Sequence, residues 1–106
     1  MEMVTIMLYS KDDYYEAKLQ LRPYDEEVIA FAKQLIDENK NIFISKEAEY
    51  KYGVDFLTTS QKETQKIAKR LKNKFKGTIK ISRKLHSRNK LTSKTVWRVT
   101  VCFRKD

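Results

Sequence analysis

Residues 14–36 read YYEAKLQLRPYDEEVIAFAKQLI, and a change of period inside this stretch decides the fold class. Over Tyr14–Arg22 apolar and polar residues alternate. Tyr15, Ala17, Leu19 and Leu21 face one way, and Glu16, Lys18, Gln20 and Arg22 the other. Period two over that length predicts a half-buried strand. Pro23 closes it, having no N–H to give to a continuing ladder. From Asp25 to Lys40 the period lengthens to that of a helix, with Val28, Ala32, Leu35 and Ile36 on one stripe and Ile29 beside it. Asp25 is placed to cap the first turn, and Glu26 and Glu27 suit the positive end of the helix dipole.

Working outward, Met3–Tyr9 (MVTIMLY) predicts an extra strand or an apolar arm within residues 1–13. After the helix, Asn41–Ser45 (NIFIS) and Val54–Thr58 (VDFLT) predict two short strands, with Lys46–Gly53 as a polar hairpin connection. Ser60 and Glu63 match the S-x-x-E capping box and start a second helix, whose inward stripe is Thr64, Ile67, Ala68, Leu71 and Phe75. Gly77 falls where a helix C-terminus needs a residue tolerant of positive φ. Thr78–Leu85 alternates with Ile79 and Ile81 inward. Thr95–Arg104 alternates with Trp97, Val99, Val101 and Phe103 inward, after a polar loop over His86–Lys94. The order β-α-β-β-α-β is that of a ferredoxin-like α+β sandwich, here with an extra C-terminal hairpin strand. Both helices are expected on one face of the sheet, with Tyr14–Arg22 beside Thr78–Leu85 at its centre.

The chain has 106 residues, of which 41% are hydrophobic, with only two Gly and one Pro, so one domain of long regular elements over residues 1–106 is expected. No apolar run approaches the ~18 residues of a membrane span, and no signal-peptide stretch opens the chain. A single cysteine excludes a disulfide framework and multi-cysteine zinc sites, and the context expected is cytoplasmic. Charge is distributed unevenly. Residues 1–60 carry 7 basic and 12 acidic side chains, whereas the remaining 46 carry 16 and 2. A basic half of that density predicts a polyanionic partner, and in a soluble domain that partner is most often nucleic acid.

For catalysis the inventory is thin. His86 is the only histidine and has no orienting carboxylate near it in sequence; Cys102 has no histidine partner; and Asp12 and Asp13 lack a third ligand at metal spacing. The junction Leu21–Asp25 has no glycine to expose backbone N–H groups to a phosphate, so it makes no hydrolytic phosphate cradle. No enzyme activity, small-molecule substrate, cofactor or metal is expected.

The binding signal is stronger. On the second helix Lys62, Lys66, Lys69 and Lys76 lie opposite the apolar stripe, with Arg70, Lys72 and Lys74 on its flanks. Solubility does not require seven cations in fifteen positions. A second basic group, Arg83, Lys84, Arg88, Lys90 and Lys94, gathers at the last hairpin, with Arg98 on the following strand. Arginine forks suit bidentate phosphate contact. Outward positions on the central strands carry no aromatic residue, so RNA binding is expected to follow phosphate geometry rather than base stacking. Tyr50 and Tyr52, beside Lys51, are the best candidates for exposed aromatics. The competing expectation is a protein-docking domain whose acidic first helix (Glu26, Glu27, Asp37, Glu38) takes a basic partner.

YYEAKLQLR, GVDFLTTS, a basic helix, and then SRKLHSRNKLTSKTVWRVTV stand in an order and spacing that resemble archaeal members of the Nmd-three family, over Tyr14–Arg104. That family is the export adaptor of the large ribosomal subunit. The resemblance implies subunit maturation or quality control, with the large subunit, its ribosomal RNA or a ribosomal protein as partner. The family usually begins with paired CxxC zinc motifs, and this chain has Cys102 alone. The resemblance therefore implies an excised domain or a relative without zinc ribbons, with any zinc-dependent ribosome contact outside this chain.

Overall fold

The structure, a computed structural model, describes residues 5–8, 15–89 and 94–106, with side chains at 15–84 and 98–106. Its elements in chain order are β1 (Thr5–Leu8), β2 (Ala17–Arg22), α1 (Glu26–Glu38), β3 (Ile44–Tyr50), β4 (Gly53–Thr58), α2 (Gln61–Phe75), β5 (Gly77–Asn89) and β6 (Lys94–Lys105). From β2 to β5 this is the ferredoxin-like βαββαβ order. β6 is the extra hairpin strand, and β1 supplies the additional N-terminal strand, antiparallel to β3 at one edge.

Both helices begin as their caps require. The Asp25 carboxylate accepts from the amides of Glu27 and Val28, and the Ser60 hydroxyl from the amide of Glu63. Val28, Ala32, Leu35 and Ile36 of α1 and Ile67, Ala68 and Leu71 of α2 are buried against Leu19, Leu21, Phe56, Val101 and Phe103 of the sheet. The helices meet through an edge-on Phe31–Phe75 contact, ring centroids 5.7 Å apart, and through a 2.8 Å bond from the Asn39 amide to the Glu63 carboxylate.

Sheet order is β1-β3-β4-β2-β6-β5. The expected neighbour of β2, residues 78–85, is therefore displaced to the edge. β6 slots between them and runs parallel to β2, pairing Ala17 with Val99, Leu19 with Val101 and Leu21 with Phe103. The physical reason lies in the side chains. Val99, Val101 and Phe103 form a bulkier apolar row than Ile79 and Ile81, and all three are buried. At the edge the helices cover β5 incompletely. Ile79 packs partly against the core, but Ile81, expected inward, is 46% exposed.

Two expected connections are strand instead. Lys46–Glu49 pairs with both β1 and β4, and Tyr50 with β4 alone, leaving Lys51 and Tyr52 as the turn. Its charges hid it, yet on the helix side buried Glu47 is met by Lys33 of α1 at 3.0 Å and Glu49 by the Tyr24 hydroxyl at 2.8 Å. Likewise β5 and β6 stay paired out to Asn89 and Lys94, so much of the expected 86–94 loop is ladder. Gly77 also works differently from expectation. Positive φ falls on Lys76 (57°), while a Cβ on Gly77 would lie 2.3 Å from the Arg104 carbonyl oxygen, so the glycine permits close approach of β5 to β6.

Candidate nucleic-acid interface

Burial of one stripe of α2 turns the remainder of the helix to solvent. Lys62, Lys66, Lys69, Arg70, Lys72, Lys74 and Lys76 are all exposed. The Glu63 carboxylate lies among them. It is held below the usual carboxylate range, chiefly by the hydrogen bond from Asn39, and stands 3.6 Å from Lys66. Lys74 rests over the Phe31 ring at 4.3 Å, which fixes one cation at the helix C-terminal end. Within α2 the positive potential is thus opposed by one carboxylate that two neighbours already engage, while Glu38 of α1 lines a groove with Lys66 and Arg70, and Asp106 follows β6 beside Lys76.

The hairpin residues divide between the two faces of the sheet. Arg83, opposite buried Val99, belongs to the helix side and is exposed. Lys84, opposite Arg98, belongs to the open side. Arg98 is half-buried: its Nε donates to the Tyr15 carbonyl at 3.2 Å, and its guanidinium lies 3.7 Å from the Tyr15 ring centroid. Arg88 and Lys94 are placed by their backbone in the ladder, and Lys90 lies outside the described residues. The structure therefore brings Lys62, Lys66, Lys69, Arg70, Lys76 and Arg83 to one side of the domain, and Lys84 and Arg98 to the other.

On that open side the register adds residues that the sequence marked only as outward. Rows across β2, β6 and β5 read Lys18–Thr100–Ser82, Gln20–Cys102–Lys80 and Arg22–Arg104–Thr78. Arg22 is not free. Its Nη2 lies 2.7 Å from Oδ1 of buried Asp55, while Nη1 is aimed at the Leu21 and Val54 carbonyls. That aim leaves the Asp55 oxygen an ion-pair contact rather than a well-directed hydrogen bond.

A family model described as NMD3, second domain, matches residues 14–104. The chain belongs to the NMD3 family. The match takes in both helices and the five strands from β2 to β6, and leaves β1 outside it. No curated protein matches the chain.

In this NMD3 domain Tyr50 and Tyr52 stack on each other, centroids 5.0 Å apart and planes 9° from parallel, and Arg22 lies 4.9 Å from the Tyr52 ring centre. Their faces are thus used within the domain, although Tyr52 is 46% exposed at its edge. Cys102 is a half-buried free thiol opposite Gln20 and Lys80. His86 has no described side chain, and Asp12 and Asp13 lie outside the described residues. Among the described residues no three histidine, cysteine or carboxylate side chains gather at metal distance, and no helix is long and apolar enough to cross a membrane.

Proposed function

We propose that this NMD3 domain is a non-catalytic binding module acting in large-subunit maturation or export, and that it holds ribosomal RNA through α2 and the β5–β6 hairpin. Family membership supplies the ribosomal context. The observation that carries the RNA reading is the solvent face of α2, whose seven exposed cations share the helix with one carboxylate, Glu63, already engaged by Asn39 and Lys66. Phosphate contacts of this kind position a protein on RNA without reading its bases.

The test is binding to large-subunit ribosomal RNA fragments across a salt series. Counterion release gives a log–log slope of roughly −0.7 to −0.9 per phosphate contact, so about five contacts imply a slope near −4. Lys62→Glu, Lys66→Glu and Lys69→Glu together should weaken binding at every sequence tested. Arg83→Ala, Arg88→Ala and Lys90→Ala together should weaken it and flatten the slope. Equal affinity for wild type and both variants at low salt defeats the RNA reading.

The second reading is docking of a basic ribosomal protein by α1, favoured by the exposure of Glu26, Glu27, Asp37 and Glu38 along that helix. It predicts co-sedimentation with large subunits that is lost on reversing those four charges and kept in both cation variants.

A further inference from the structure

Successive side chains of a strand point to opposite faces of its sheet. Leu19 and Val101 therefore face α2, while Lys18 and Thr100 face away from it. The cations of α2 and those of the open face stand back to back, with the hydrophobic core and the sheet between them. We infer that the domain has two RNA-binding surfaces and bridges two RNA segments, the second site being the open face of β2, β6 and β5. The inference rests on the RNA reading above and adds to it a separate site and a stoichiometry.

Five cations define that face: Lys18, Lys80, Lys84, Arg98 and Arg104. Same-face positions repeat about every 7 Å along a strand and about every 5 Å across the sheet, so the five span several phosphates of a strand laid over them. Between them Thr78, Ser82 and Thr100 offer hydroxyls that donate to phosphate or ribose oxygens. The carboxylates that border the strip are turned elsewhere. Asp55 is buried against Arg22, and Glu16 accepts from the amide of Gln61 at the start of α2.

The chemistry favours RNA over an acidic protein. A protein partner needs a desolvated apolar or aromatic anchor at the centre of its interface. Here the outward positions of β5 from Thr78 to Lys84 and of β6 from Arg98 to Arg104 carry only cations, hydroxyls and Cys102. The strands offer no outward aromatic for base stacking, and the rings beside them, Tyr15 and Tyr52, are faced by the guanidinium groups of Arg98 and Arg22, so the ligand is a sugar–phosphate backbone, read by shape. A stiff duplex on one layer of a two-layer sandwich does not reach the other, and each surface takes its own duplex.

The test counts duplexes. The wild-type chain is titrated with an RNA duplex of about 16 base pairs, and the complexes are weighed by native mass spectrometry and sedimentation at low salt. Two duplexes per chain are expected. Lys18→Gln, Lys80→Gln and Arg104→Gln together should reduce this to one, and so should the α2 triple charge reversal; the combination should leave none. Lys80→Gln with Lys84→Gln, both at exposed edge positions, repeats the test should the triple variant lose its circular dichroism signature. Saturation at one duplex, lost only in the α2 variant, overturns the second site and leaves the proposed function standing. Absence of binding by wild type overturns both. An acidic peptide that displaces the duplex from the open face at equal or lower concentration overturns RNA as its occupant.

Discussion

The hydroxyls of Thr58 and Thr64 stand 2.6 Å apart inside the core, joining the end of β4 to the first turn of α2. Thr58 also lies within donating distance of the Ala17 carbonyl (3.3 Å), and Thr64 of the Ser60 carbonyl (2.6 Å). Two protons serve three contacts, so one hydroxyl donates to the other and one carbonyl is left to weaker company. The pair ties β2, β4 and α2 together at the point where the basic helix begins.

Removing either hydroxyl breaks the buried bond between them and leaves the other with its carbonyl partner alone. Thr58→Val and Thr64→Val should each cost about 1–2 kcal/mol in urea unfolding. The double variant should cost less than the sum, since the first change already breaks the bond that the two hydroxyls share. Strict additivity would show that the two hydroxyls act independently.

Leu19 is fully buried between Phe56 of β4 and Val101 of β6. Leu19→Ala should lower stability by about 2–5 kcal/mol, and Leu19→Asp should prevent folding by burying an unpaired charge. Its neighbour on the open face provides the control: Lys18→Gln should stay within about 0.5 kcal/mol of wild type. A folded Leu19→Asp protein with unchanged melting would refute the register.

Asp25 is held below its usual range first by the 2.7 Å hydrogen-bonded ion pair with Lys105, and then by the amides of Val28 and Glu27. A carboxyl with a lowered folded-state pKa stabilises the fold fully above the unfolded value of about 3.9, and that contribution disappears as pH falls through the folded value. Asp25→Asn keeps a capping acceptor and loses the charge, so its deficit against wild type should shrink as the pH drops below about 4. Asp25→Ala should cost about 1–2 kcal/mol at neutral pH through the lost cap. A deficit for Asp25→Asn that is constant from neutral to acid pH would refute the ion pair's contribution.

At the end of α2, Lys76 holds φ 57° and ψ 131°, a conformation costly for a residue with a Cβ. Lys76→Gly should stabilise the domain by about 1 kcal/mol in chemical denaturation, after the extra freedom glycine gives the unfolded chain is subtracted. It should also weaken RNA binding slightly, because one exposed cation is lost. Gly77→Ala should act in the opposite direction by about 3 kcal/mol or more, since its Cβ would press on the Arg104 carbonyl and the Phe103 ring. Greater stability of Gly77→Ala would mean that β5 sits farther from β6.

Local chemistry was legible in the sequence wherever one residue type has one use. Asp25 and Ser60 set both helix starts, and the alternation around Leu19 set the central strand. Neighbour relations were not legible, because alternation says that a segment is a strand without saying which strand it joins. Residues 78–85 and 95–104 both alternate, and only the packing of Phe103, Val101 and Val99 under α2 decides which of them lies beside β2. Glu47 and Glu49 hid a strand because their partners, Lys33 and Tyr24, lie far away in sequence. The same ambiguity concealed the open-face cations: Lys18, Lys80 and Arg104 were outward residues of three separate segments until the register aligned them.

The parallel pairing of β2 with β6 has a consequence for the chain during synthesis. β2, α1, β3 and β4 are contiguous, so a partial sheet is able to form early, with the apolar flank of Leu19 and Leu21 still open on one side. The strand that closes that flank is the last to be made, and β5, which precedes it, pairs with β6 alone. Core completion is therefore held back until Phe103 has left the ribosome, and until then the β2 edge of the emerging domain stays unsealed. Such a topology folds slowly for its size and relies on late, long-range closure.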